Sequence, residues 1–101
     1  MSTIAQLNDE FRRTTQKDIV VAGELMGHNF VEHAVILGRV RHFKDEEFDK
    51  DCPEHDFLAF DYGERKIFAK IDYYNQTLDG GLDPLDPNCR RVMTIYFAED
   101  H

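Results

Sequence analysis

The stretch Glu54 to Tyr74, EHDFLAFDYGERKIFAKIDYY, constrains the fold most. Two runs rich in aromatic and aliphatic residues, 57–62 and 66–73, flank Gly63. Glycine tolerates the positive φ that a tight turn between antiparallel strands demands. The pair therefore reads as a β-hairpin. Side chains alternate along an extended chain. On the second strand Ile67, Ala69, Ile71 and Tyr73 thus share one face, and Phe68, Lys70 and Asp72 share the other.

A third strand is expected from Arg90 to Ala98, RRVMTIYFA. Met93, Ile95 and Phe97 alternate there with Val92, Thr94 and Tyr96. Both faces are fairly apolar, which points to a central position in the sheet. Asp18 to Ala22, DIVVA, is a short β-branched run closed by Gly23, and it can add a strand at one side.

Two segments read as helices. Ser2 or Thr3 can cap the first, with Ile4, Leu7 and Phe11 following at helical spacing and Asn8 beside them. Asp9, Glu10, Arg12 and Arg13 are expected mostly on its wet side. The second, Asn29 to Phe43, opens with Asn29 and Glu32 in a capping-box spacing. Phe30, Ala34, Leu37 and Arg41 form one stripe, with Val31, Val35 and Gly38 beside it. Its Val35-Ile36-Leu37 run and Gly38 leave a strand open as the alternative.

The expected fold is therefore α+β, a small antiparallel sheet of three to four strands with two helices, 3–14 and 29–42, on one face. At 101 residues it is a single domain, 1–101. The expected core is Leu7, Phe11, Val20, Phe30, Ala34, Leu37, Phe57, Ala59, Ile67, Ile71, Met93, Ile95 and Phe97.

Two loops stand out. Lys44 to Pro53, KDEEFDKDCP, is highly charged, and Phe48 is its one large apolar residue, suited to pin it to the core. Asn75 to Cys89, NQTLDGGLDPLDPNC, is too rich in Gly, Pro and Asp for a strand or a long helix. Its Asp79, Asp83 and Asp86 lack calcium-loop spacing, and turn chemistry accounts for them better.

Charge narrows the function. The net charge is −8. Residues 1–42 hold five acids and five bases, whereas residues 43–101 hold fifteen acids and seven bases. A nucleic-acid binder shows the opposite sign on one face, so direct binding to DNA, RNA or anionic lipid is disfavoured. No apolar run approaches the ~20 residues that span a bilayer. The start, MSTIAQLNDEFRR, lacks the basic head and apolar stretch of a signal peptide, so a cytoplasmic location is expected. Cys52 and Cys89 accordingly read as free thiols.

Several short blocks occur together in order: Glu54-His55-Asp56-Phe57, Lys70-Ile71-Asp72-Tyr73-Tyr74, Asp83-Pro84 with Asp86-Pro87, and Arg91-Val92-Met93-Thr94-Ile95. With the opening Ile4-Ala5-Gln6-Leu7-Asn8-Asp9 and Phe11-Arg12, the chain resembles a bacterial family catalogued as domain of unknown function 3768. The resemblance implies a small bacterial protein of a kind that often travels on mobile elements. It implies no reaction.

Three constellations bear on chemistry. His55 and Asp56, with Lys70 on the paired strand, could form a small hydrolytic site, since a histidine beside carboxylates changes charge near neutral pH. Alternation along extended chain, however, sends Glu54, His55 and Asp56 in alternating directions, so a structural role is the stronger expectation. Cys52 and His55 have a Cys-x-x-His spacing, but only one such pair is present, so no metal and no cofactor is expected. Arg90 and Arg91 could lower the Cys89 pKa, yet no partner histidine adjoins it in sequence.

Tyr62, Tyr73, Tyr74 and Tyr96, with Phe68, exceed what one core needs. Tyrosine is enriched at interfaces because it buries area and keeps a polar tip. The leading expectation is thus an acidic protein–protein interaction module that binds a partner with a basic surface. Asp45, Glu46, Glu47, Asp49 and Asp51 would supply charge, and Tyr74 and Tyr96 would be anchors. Its sharpest form is a mobile-element-encoded inhibitor of a nucleic-acid-binding host defence complex, mimicking the charge of DNA. The alternatives are the small hydrolytic enzyme and a structural or dimerisation domain whose exposed strand pairs with its own copy as a homodimer.

Overall fold

The computed structural model describes residues 3–100, apart from the side chain of Asp45. Ser2, one of the two expected caps, lies outside the described residues. The elements are α1 (Ile4–Thr14), β1 (Ile19–Val21), α2 (Phe30–Arg41), β2 (Phe57–Tyr62), β3 (Arg65–Tyr74) and β4 (Arg90–Phe97). Short 3-10 turns cover Gly23–Gly27, Asp45–Glu47 and Ala98–Asp100. The fold is α+β, and segment 29–43 is a helix, not a strand.

Local chemistry starts both helices. The Thr3 hydroxyl accepts from the Gln6 backbone N–H, and the Gln6 side chain accepts from the Thr3 N–H. This closes a capping box that satisfies two otherwise orphaned donors. Arg12 and Arg13 occupy the last turn of α1, where the helix dipole favours cations. At α2 the Asn29 side chain accepts from the Glu32 N–H at 2.8 Å. The Glu32 carboxylate accepts from the Asn29 side-chain amide and pairs with His28.

The sheet order is β1-β4-β3-β2. β2 and β3 are an antiparallel hairpin in the register Leu58↔Ala69 and Phe60↔Ile67. Gly63 turns it with φ +63°. β3 and β4 are antiparallel from Ile67↔Phe97 to Tyr74↔Arg90. β1 adds at the far edge in parallel, with Ile19↔Met93 and Val21↔Ile95. The sheet is therefore mixed and not purely antiparallel. β4 is central, as its two apolar faces require.

The core lies between one sheet face and the helical layer. Leu58, Phe60, Ile67, Ala69, Ile71, Met93, Ile95 and Phe97 meet Leu25, Ile36, Val40 and Phe43. Phe11, Leu37 and Phe48 pack against this cluster. Phe48 thus does pin the charged loop.

Leu7 is half-buried outside the core cluster. Five further expectations about the core fail for one reason. Val20, Phe30, Ala34 and Phe57 are exposed, and Ala59 lies on the other sheet face, opposite Phe68. Each belongs to a segment that is apolar on both sides, so hydrophobic spacing alone cannot choose the inward one. In β2 a one-residue shift sends Leu58 and Phe60 inward, because they pair with Ala69 and Ile67. In β1 the parallel register aligns Ile19 and Val21 with the inward residues of β4 and leaves Val20 opposite Thr94. In α2 the Ile36 and Val40 side turns to the sheet. Among the described residues no helix covers the other sheet face. It carries a row of edge-to-face rings, Phe57–Phe68 at 5.0 Å and Phe68–Tyr96 at 5.8 Å.

This register predicts opposite outcomes for neighbouring truncations. Ile71→Ala, at 4% exposure, should cost about 2–5 kcal/mol. Phe57→Ala, on the uncovered face, should cost well under that. Urea denaturation of both variants checks the assignment, and a larger loss for Phe57→Ala would reverse the register.

Candidate functional site

The densest polar cluster lies where α1 crosses the end of the sheet. Asn8, Asp9 and Arg12 point inward from α1, and Asn8 and Arg12 are fully buried. This corrects the expectation that Asp9 and Arg12 face water. The cause is the C-terminus of α2, whose last carbonyls lack intrahelical donors. Arg12 Nη1 donates to Val40 O at 2.7 Å and to Phe43 O at 2.9 Å. Arg12 Nη2 donates to Asp9 Oδ1 at 2.8 Å.

Asp9 also receives His55. The Nδ1 of His55 lies 3.0 Å from Asp9 Oδ1, and a carboxylate there makes that nitrogen the donor. The ring stacks on Phe48 at 4.0 Å between centroids, with 2° between planes. His55 holds a left-handed backbone, φ 57°. Burial pushes the Asp9 carboxyl up, but hydrogen bonds from Arg12 and His55 outweigh it and hold the pKa below the ordinary carboxylate value.

Asn8 spends its whole side chain on joining four segments. Its Nδ2 donates to Glu54 O at 2.9 Å and to the Tyr73 hydroxyl at 2.8 Å. Its Oδ1 accepts from Arg91 Nε at 2.6 Å. Arg91 also donates to Pro84 O at 2.7 Å, which ties the long Asp-Pro loop to the cluster. The Tyr73 hydroxyl donates to Asp56 Oδ2 at 3.3 Å, and the Cys52 thiol lies 3.4 Å from Asp56 Oδ1. Burial, reinforced by the charges of Asp56 and Glu54, pushes the Tyr73 hydroxyl up to about 12 although Asn8 opposes it.

The three hydrolytic candidates do not converge. His55 and Asp56 lie in this cluster on the helical side of the sheet. Lys70 projects from the uncovered side and pairs with Asp72 at 3.4 Å. The His55 side chain is only 16% exposed, and the carboxylate it meets is shared with Arg12. The cluster is a brace between elements. The Cys89 thiol is raised, because burial outweighs the lowering by Arg91. Burial likewise raises the Cys52 thiol. Neither cysteine is in a disulfide. Among the described residues no three His, Cys, Asp or Glu side chains gather as a metal-binding group.

The proposed binding residues divide between places. Glu46, Glu47, Asp49 and Asp51 are exposed on the loop that Phe48 pins. That loop is ordered by its own bonds: Lys44 N–H to Glu47 Oε1, Asp51 N–H to Asp49 Oδ1, and Cys52 N–H to Asp49 O. The side chain of Asp45 lies outside the described residues. Tyr74 is half-buried at the end of β3, opposite Arg90. Tyr96 stands on the uncovered sheet face, the other side of the sheet from the Phe48 anchor. No helix among the described residues is long and apolar enough to cross a membrane.

The cluster of Asn8, Asp9, Arg12, Tyr73 and Arg91 was not legible as a unit in the sequence. Its one trace was the polar set 8, 9 and 12 at helical spacing on a helix whose apolar stripe is short.

The molecule is thus a small α+β domain braced by a buried polar cluster, with an acidic loop beside it. The sequence profile of the family described as "Protein of unknown function (DUF3768)" matches residues 6–100. The chain belongs to that family. No curated protein and no solved structure matches it.

Removing the guanidinium should be among the costliest single changes. Arg12→Ala leaves Asp9 and two carbonyls without their donor and should destabilise by about 3–5 kcal/mol, read by urea midpoint. The pH dependence has two arms. The Asp9 pKa is depressed on folding, so its contribution is present above about pH 4 and lost as pH falls through the folded value. Asp9→Asn should lower stability at neutral pH and flatten that acid limb. The Tyr73 pKa is raised on folding, so its contribution is present below about pH 10 and lost as pH rises towards 12. Tyr73→Phe should flatten the alkaline limb.

Proposed function

We propose that the chain is an acidic protein-interaction module whose charged loop, 45–51, engages a basic surface on another protein. One observation carries this reading. Glu46, Glu47, Asp49 and Asp51 are exposed, and among the described residues none of the four is ion-paired with a cation of its own chain. Glu24 and Glu99, by contrast, both pair with Arg65. Carboxylates left unneutralised on a pinned backbone produce a local negative field. Such a field steers a cationic partner and raises its association rate.

Pinning matters because ordering a loop on binding costs free energy. Phe48 holds the middle of the segment, packed between Phe43 and His55. A row of fixed negative charges resembles a phosphate backbone to a cationic groove. The sharper form of the proposal is therefore competition with nucleic acid for a protein that binds it, as in a host defence complex. Tyr74 and Tyr96 would serve as separate anchors on any larger contact.

Affinity capture with mass spectrometry tests it. The bait is the wild-type chain beside a variant carrying Glu46→Gln, Glu47→Gln, Asp49→Asn and Asp51→Asn. The expected result is a basic protein that the variant fails to capture and that duplex DNA displaces from the wild type. Equal capture by both baits would overturn the proposal.

A further inference from the structure

A surface helix that packs on one side is normally polar on the other, and a helix apolar all round is normally buried all round. α2 departs from this. Ile36 and Val40 face the core, and on the opposite side lie Phe30, Val31, Ala34, Val35 and Gly38. Phe30 is 85% exposed, Val31 68% and Val35 51%. Met26, just before the helix, adds 66%. Gly38 sits mid-face, and a Cβ built there would meet nothing within 4 Å. A glycine weakens a helix by roughly 1 kcal/mol against alanine, and none of the described residues uses the room it leaves.

We infer that this face of α2 packs against the same face of a second copy, antiparallel, about a two-fold axis near Ala34 and Val35. The face of Phe30, Val31 and Val35 lies outside the acidic loop, although the groove beside Gly38 also reaches Glu47, and the inference does not depend on that loop's partner. Three features select a second copy as the occupant.

The first is steric self-complementarity. Val31 and Gly38 lie seven residues apart on one stripe. An axis midway between them sets Val31 of each copy over Gly38 of the other. The shallow groove there, about 310 Å³, is lined by Val35, Gly38, Arg39 and Phe43 among others. Its glycine lets the helices approach to the short end of the ~8–10 Å range of helix packing.

The second is charge. Antiparallel pairing opposes the helix dipoles. Parallel pairing would set like ends together. The chain's acidic excess lies wholly in residues 43–101, while residues 1–42 balance. The face therefore lies in the half of the chain where two copies repel least.

The third is area. The four exposed apolar side chains offer on the order of 400 Å² per copy, and a pair of such faces with its polar rim approaches the ~1,200 Å² at which stable interfaces begin. The contact is isologous and closes, so it stops at two copies.

Sedimentation velocity over a micromolar concentration series reads the result. The wild type should shift to twice the chain mass as concentration rises. Val35→Glu and Phe30→Asp should hold the monomer mass while keeping the wild-type circular dichroism, since both side chains are exposed. A variant carrying only Glu46→Gln, Asp49→Asn and Asp51→Asn, which leaves Glu47 beside the groove, should dimerise like the wild type, so the two proposals fail separately. A wild type that stays monomeric throughout overturns the inference. So does a dimer untouched by Val35→Glu.

Discussion

The Arg12 guanidinium is fully enclosed, so its charge must be answered inside the molecule. It is answered three ways at once: by the Asp9 carboxylate, by Val40 O and by Phe43 O. Those acceptors belong to α1, to the end of α2 and to the chain just beyond it. The side chain is therefore a joint: it fixes where α1 sits relative to the last turn of α2. From Asp9 the contact passes to His55, and from His55 by stacking to Phe48. The acidic loop is thus positioned through a chain of contacts that starts at one buried cation. A buried ion pair adds little over an apolar substitute of equal shape. What it supplies here is a specific register between a helix, a helix end and a loop, none of which shares a backbone ladder.

A second set of bonds does the same work for the sheet's end. Asn8 holds Glu54, Tyr73 and Arg91, and Arg91 reaches on to Pro84. Arg90 meanwhile binds Asp18 at the entrance to β1 and Gln76 in the long loop. The adjacent arginines of β4 point to opposite faces and each fastens a different segment. This explains how a loop as long as 75–89 remains ordered with few apolar contacts. Its own turns supply the rest, through Asp83 to Leu85 N–H and Asp86 to Asn88 N–H.

The elements themselves were legible because their signals are local. Gly63 between two β-rich runs gave the hairpin, and Thr3 with Gln6 marked the start of α1. What was not legible was which side of each element faces inward. FLAF in β2 and the run from Phe30 to Val40 in α2 are apolar on both sides, and periodicity has nothing to distinguish there. The inward side is set by partners distant in sequence: Ala69 for Leu58, Met93 for Ile19. The polar cluster was hidden for the same reason. Asp9 and His55 are forty-six residues apart, and Asn8 and Arg91 eighty-three. A charged pair on a helix is expected in water unless something inside needs it. What needed Arg12 was the unsatisfied end of another helix.

The ambiguity in α2 has a physical meaning beyond the failed inward assignment. A sequence that cannot tell its two faces apart is what selection leaves when both faces are covered. This chain covers one, through Ile36 and Val40, and leaves Phe30, Val31 and Val35 in water. The charged residues are arranged differently. Glu46, Glu47, Asp49 and Asp51 sit just past the end of the same helix, on a segment carried by Phe48, and are exposed with no ion pair among the described residues. One helix therefore separates two surfaces of opposite character. An apolar face gains from association with little salt dependence, while an acidic edge gains mostly from long-range attraction that salt screens within roughly 8–10 Å. If two copies pair through the first, each dimer displays the second twice. Linked copies of one site then raise apparent affinity without new contacts, provided the partner offers sites within reach of both. The unusual composition of α2 and the charge imbalance of the second half are then two parts of one arrangement.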